Sequence, residues 1–175
     1  MGISWLFARC RGDRLRKSSY HPLLIAVTLY IAAVAQVSIA PAIAPVGFTP
    51  DFLLLALALF AMKSKPLGGI IIGFFAGLLF GAIAGANLQT YILSRVIAGF
   101  IISWLCSLDL DPSIILAILV SVLAVIVGQA VLIFVAAPPN VGGLIEATIE
   151  TAVYNGVLAI PVYALLKKIQ APAVQ

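Results

Sequence analysis

Charge is scarce in this chain. Of its 175 residues, 10 are Lys or Arg, 6 are Asp or Glu and 1 is His, so charged residues make up only 9%. Ordinary soluble domains carry about 25%. So few polar side chains cannot cover a water-soluble fold. Disorder is excluded as well, because it needs low hydrophobicity and high charge, whereas 63% of these residues are hydrophobic. Cysteine is nearly absent: Cys10 and Cys106 share no metal or redox spacing. The lone histidine, His21 beside Pro22, is expected at the wrong membrane face for a Ser-His-Asp or Cys-His catalytic set and reads as a boundary residue instead of a metal ligand. There is no Walker-type phosphate loop, no paired-carboxylate motif and no loop long enough for an extramembrane domain. The chain is therefore read as non-enzymatic, with no catalytic, metal or cofactor-binding residues. Alternating apolar and polar positions are missing too, which argues against a β-barrel.

What is present is apolar sequence in long continuous stretches, with a mean hydropathy of +1.21. That defines an all-α integral membrane protein. A bilayer core about 30 Å thick needs about 20 apolar residues per helix. Six spans are predicted: Pro22–Ile43, Asp51–Met62 (short unless Val46–Pro50 extends it), Leu67–Gly85, Tyr91–Leu108, Ser113–Ala137 and Gly142–Leu166. Breakers separate them: Pro41, Pro45 and Pro50, then Lys63-Ser64-Lys65-Pro66, Asp109-Leu110-Asp111-Pro112 and Pro138-Pro139-Asn140. Residues 1–21 form a basic cytoplasmic tail, 22–169 a six-helix transmembrane domain and 170–175 a cytoplasmic C-terminal tail. The apolar stretch Ile3–Ala8 is too short for a signal peptide and precedes the charges, so the tail is expected to stay in the mature protein, with Trp5, Leu6 and Phe7 at the interface.

A net charge of +4 could suggest nucleic acid. The placement of the charges argues for membrane lipids instead, because Arg9, Arg11, Arg14, Arg16 and Lys17 lie just before the first apolar stretch. With the N-terminus inside, these five together with Lys63, Lys65, Lys167 and Lys168 are all cytoplasmic, which leaves only Arg95. Both termini are accordingly expected in the cytoplasm.

Two features could carry function. In the third span Gly69, Gly73, Gly77, Gly81 and Gly85 recur every fourth residue, forming a slowly winding small-residue stripe that lets another helix backbone approach closely. The partner is either a helix of the same chain or an outside helix, including that of a second copy through self-association. The second feature is the set of isolated ionisable residues Asp51, Arg95, Glu146 and Glu150, expected to meet in the outer half with Arg95 bridging carboxylates, because unpaired charges in the bilayer are costly. Gln36, Asn87 and Gln129 are expected at a similar depth. The cluster reads either as a polar clamp that sets helix register or as a ligand or proton site.

Several motifs in order resemble the bacterial rod shape-determining MreD family. They are Thr49-Pro50-Asp51-Phe52-Leu53-Leu54-Leu55, the Lys63–Pro66 turn before the Gly-rich span, Asn87-Leu88, Ser94-Arg95-Val96-Ile97-Ala98-Gly99-Phe100, Glu150-Thr151-Ala152-Val153-Tyr154-Asn155, and Pro161-Val162-Tyr163 before Lys167-Lys168. The resemblance covers about residues 22–169. It implies a six-span inner-membrane protein similar in fold to the substrate-binding subunits of vitamin transporters. It also implies a scaffold of cell-wall elongation, partnered by the single-span protein MreC, by RodA and penicillin-binding protein 2, and indirectly by MreB filaments. In many relatives an Asp follows the Gly-Leu-Leu-x pattern, where this chain has Gly81. The rival reading is a small-solute-binding membrane subunit of a transporter.

Overall fold

The computed structural model describes residues 20–43, 49–85, 87–108, 110–136 and 140–170. The Arg9–Lys17 basic run, Trp5 to Phe7, Cys10, Asp109 and residues 171–175 lie outside the described residues. All regular structure among the described residues is helical: α1 (Pro22–Ser38), α2 (Phe52–Ala61), α3 (Pro66–Ala84), α4 (Leu88–Cys106), α5 (Ile114–Ala136) and α6 (Val141–Gln170). The helices α3 to α6 are long and apolar enough to cross a membrane. Their outward faces carry exposed large side chains such as Phe134, Ile115 and Leu67, as expected of a lipid-facing surface.

Local chemistry sets the helix boundaries. Pro22 and Pro66 start α1 and α3, where a missing N–H costs nothing. His21 Nδ1 accepts the Leu23 N–H at 3.3 Å, and Asn140 Oδ1 accepts the Gly143 N–H at 3.0 Å, each capping a helix start. Gly85 ends α3 with φ +67°, and Asn87 opens α4 with φ 54°, so the tight α3–α4 turn uses two left-handed positions flanking Ala86.

The architecture departs from six equal spans at α2. That helix has 10 residues, about 15 Å at about 1.5 Å per residue, half the thickness of a bilayer core. It is apolar on every side, and Leu53 through Ala61 are all buried. A helix without a polar face belongs in the interior, and α2 packs against each of the other five helices. It is thus a half-length core helix within the bundle. An extension through Val46–Pro50, without which the second span stays short, does not form at Thr49 and Pro50, which are non-helical.

The C-terminal end of α2 lies near the start of α1 and the end of α6. The Tyr20 ring meets Phe60 edge-on at 4.8 Å, Lys63 Nζ stands 5.2 Å from the Tyr20 ring centre, and Tyr163 donates from its hydroxyl to the Pro112 carbonyl at 2.9 Å. Lys63, Lys65, Lys167 and Lys168 therefore gather at one end of the bundle. The opposite, N-terminal end of α2 stops part-way along its neighbours, and the polar residues collect there.

Candidate functional site

Thr49, Pro50 and Asp51 run into α2 as non-helical backbone, and Pro50 and Asp51 are buried. Backbone of this kind at membrane depth must find partners within the protein. Side chains from two other helices supply them. Gln36 on α1 donates from Nε2 to the Pro50 carbonyl at 3.0 Å, while its Oε1 accepts the Phe52 N–H at 2.8 Å. Asn155 on α6 accepts the Asp51 N–H at 3.1 Å and donates to the Asp51 carbonyl at 3.0 Å. One turn earlier on α6, Thr151 donates to the Thr49 carbonyl at 3.2 Å.

The Asp51 carboxylate divides its two oxygens. Oδ1 caps α2 by accepting the Leu54 N–H at 2.8 Å, and Oδ2 accepts from Arg95 Nη2 on α4. Arg95 is only 2% exposed. Its guanidinium lies 4.0 Å from the Phe80 ring centre and 5.4 Å from that of Tyr91. Ring faces attract a cation that has lost its water, so carboxylate and rings share the stabilisation of one buried charge. Beside Arg95, Ser94 donates to the Gly128 carbonyl at 2.8 Å and ties α4 to α5. The residues Asp51, Phe80, Tyr91, Arg95 and Gln129 line a cavity of about 170 Å³ at this junction.

The other expected members of the cluster lie elsewhere. Arg95 makes its ion pair with Asp51, and among the described residues neither Glu146 nor Glu150 joins it. Glu146 is exposed and Glu150 half-buried. The reason is helical phase. At about 100° per residue, Glu146 stands about 180° and Glu150 about 140° from the inward-facing Asn155. Asn87 is exposed in the α3–α4 turn. The residues that sequence reasoning missed, Thr151 and Asn155, share their stripe with the buried or small residues Ala152, Gly156 and Ala159. That stripe was the available signal.

The glycine stripe does not form an open groove. A Cβ at Gly69, Gly73, Gly77 or Gly81 would lie less than 3.0 Å from an atom of α4. The nearest α4 atoms belong to the Gly99 and Arg95 carbonyls, the Ile92 backbone and the Leu88 side chain respectively, with the Ser103 hydroxyl also close to Gly69. Gly99 returns the contact against the Gly69 carbonyl. Of the two partners open in sequence, the one seated on the stripe is the chain's own α4. The fifth glycine, Gly85, meets nothing within 4 Å and serves as the helix cap. Among the described residues no three His, Cys, Asp or Glu side chains gather as a metal site.

A family model described as rod shape-determining protein MreD matches residues 17–169. The chain belongs to the MreD family. No curated protein and no solved structure matches it. As an MreD family member it is a multi-pass membrane protein with a role in rod-shape determination, in a family of structural, shape-determining proteins. The match spans every element of the polar junction: Gln36, Thr49 to Asp51, Arg95, Thr151 and Asn155 all fall inside it. At position 81, where the resemblance leads to an Asp, this MreD member brings α3 against Leu88, whose Cδ1 would sit 2.6 Å from any added Cβ.

Proposed function

We propose that this protein is an inner-membrane scaffold of the cell-wall elongation complex, with both termini in the cytoplasm. It holds the transmembrane helix of an MreC-like single-span partner and helps to position peptidoglycan synthesis by RodA and penicillin-binding protein 2 type synthases, over MreB filaments that it reaches indirectly. The basic tail of residues 1–21 contacts membrane lipids. A likeness in fold to the substrate-binding subunits of vitamin transporters belongs to the same reading.

The observation that carries it is the family match over residues 17–169 together with the lack of bulk outside the helices among the described residues. Recognition then falls to helix faces. With the glycine stripe occupied by α4, one cleft open to a partner helix among the described residues is an apolar groove of about 390 Å³ between α1 and α3, lined among others by Ile25, Ala26, Tyr30, Ile71 and Phe75. The test is co-purification of the full chain with an MreC-like partner. Ala26→Trp fills the groove from an exposed position. The variant is expected to reach the membrane in normal amount and to lose most of the partner. Undiminished capture by the folded variant would rule out this seat.

A second reading, a small-solute-binding subunit, is favoured by one observation: the cavity beside Arg95 and Gln129.

A further inference from the structure

Almost every polar group around the start of α2 is satisfied, yet two are not. Arg95 Nε and Gln129 Oε1 are buried and have no hydrogen-bond partner among the described residues. Both residues line the same cavity of about 170 Å³. A buried polar atom left without a partner keeps the cost of losing its water, and here a donor and an acceptor bear that cost in one place. A cavity of this size has room for water or a small solute.

The electrostatics narrow what can enter. Arg95 is compensated by Asp51, and the rings of Phe80 and Tyr91 lie against its guanidinium. An anion meets the Asp51 carboxylate and a cation meets Arg95, so neither gains a net partner. An uncharged group does. A hydroxyl accepts from the Arg95 Nε–H and donates to the Gln129 carbonyl oxygen. A hydroxyl also satisfies the opposite orientation of the Gln129 amide, since it can accept as well as donate. We propose that this cavity is a binding site for an uncharged hydroxyl group, either that of water or that of a small solute, held between Arg95 Nε and Gln129. The proposal is independent of the scaffold reading, which the Ala26→Trp co-purification tests separately.

Two measurements on the full-length protein test it and separate the two sources. In a Cys10→Ser, Cys106→Ala background, Gln129→Cys and Leu132→Cys report from the cavity lining, and Ile126→Cys reports from an exposed position one turn away on α5. The probe is hydroxyethyl methanethiosulfonate added to membranes. Because the thiolate is the reacting form and needs a polar, hydrated setting, the two cavity cysteines are expected to react at least about tenfold faster than Ile126→Cys. Native mass spectrometry of the purified wild-type protein then reads the occupant. Fast cavity labelling without an adduct identifies water. A small-molecule adduct that disappears in Gln129→Leu identifies a solute. Cavity cysteines that react no faster than Ile126→Cys, with no adduct or with one that persists in Gln129→Leu, overturn the proposal.

Discussion

Asp51 does three jobs with one side chain and its backbone. It caps α2, it neutralises Arg95, and its peptide groups are held by Asn155. Removing one partner of a buried pair strands the other charge, at about 3–5 kcal/mol, whereas removing both costs far less. Asp51→Leu is therefore expected to lower folded yield and detergent melting temperature strongly, and Asp51→Leu/Arg95→Leu to recover much of the loss. The thermal melts of the two variants check this, and a double variant no better than the single would contradict the buried pair. Tyr20 gives a pH signature at the other end of α2. Burial pushes its phenol up to about 12 from 10.0, with Tyr163 a smaller cause. A proton held more tightly in the folded state stabilises it below pH 10.0, and that contribution is lost as pH rises toward 12. Lys63 works in the opposite sense, because burial, and then Lys167, lower its ammonium below 10.5, so stability from this group grows as pH rises toward that value. Melting curves across this range are expected to fall less for Tyr20→Phe than for the wild type. At this scale the pairing of Asp51 with Arg95 is legible in sequence, since a lone acid and a lone base in apolar segments are costly apart. Glu146 and Glu150 mislead because their four-residue spacing places them on one stripe without saying which way that stripe faces.

At the scale of elements, α3 and α4 form the tightest pair, and glycine makes it possible. Without side chains on the stripe, the α3 backbone lies directly on the carbonyls of Arg95 and Gly99. In lipid, close packing of this kind replaces the hydrophobic drive that pairs helices in water. A side chain at Gly73 has only backbone atoms to displace, and at Gly81 the nearest atom is the movable end of Leu88. Gly73→Val is accordingly expected to cost about 1–3 kcal/mol or more and to abolish the folded fraction in size-exclusion profiles. Gly81→Asp is expected to survive with a small loss, and an equal loss for both would show that the Leu88 end is as rigid as the backbone. The periodicity of the stripe is visible in sequence, but its occupant is not. The occupant follows from the tight turn at Gly85 and Asn87, which folds α4 back along α3.

At the scale of the whole molecule, the order of the helices brings Tyr20, Lys63, Pro112 and Tyr163 to one end and Asn140 to the start of the last helix at the other. Under the proposed orientation, with both termini in the cytoplasm, Lys65→Cys and Ser113→Cys in a cysteine-free background are expected to react with a membrane-impermeant maleimide only after permeabilisation, and Asn140→Cys in intact spheroplasts. The reverse pattern would overturn the orientation. Membrane residence, helical class and the approximate position of each helix were already contained in the sequence, because hydropathy and the Pro, Gly and Lys breakers act over a few neighbouring residues. Even the half-length α2 was readable as a short apolar run bounded by Asp51 and Lys63. Its place at the centre of the bundle was decided by tertiary structure. Asn155 and Thr151 reach Asp51 and Thr49 across about a hundred residues, and helical phase, which settles whether Asn155 or Glu146 faces inward, has no meaning until a neighbouring helix defines the inside.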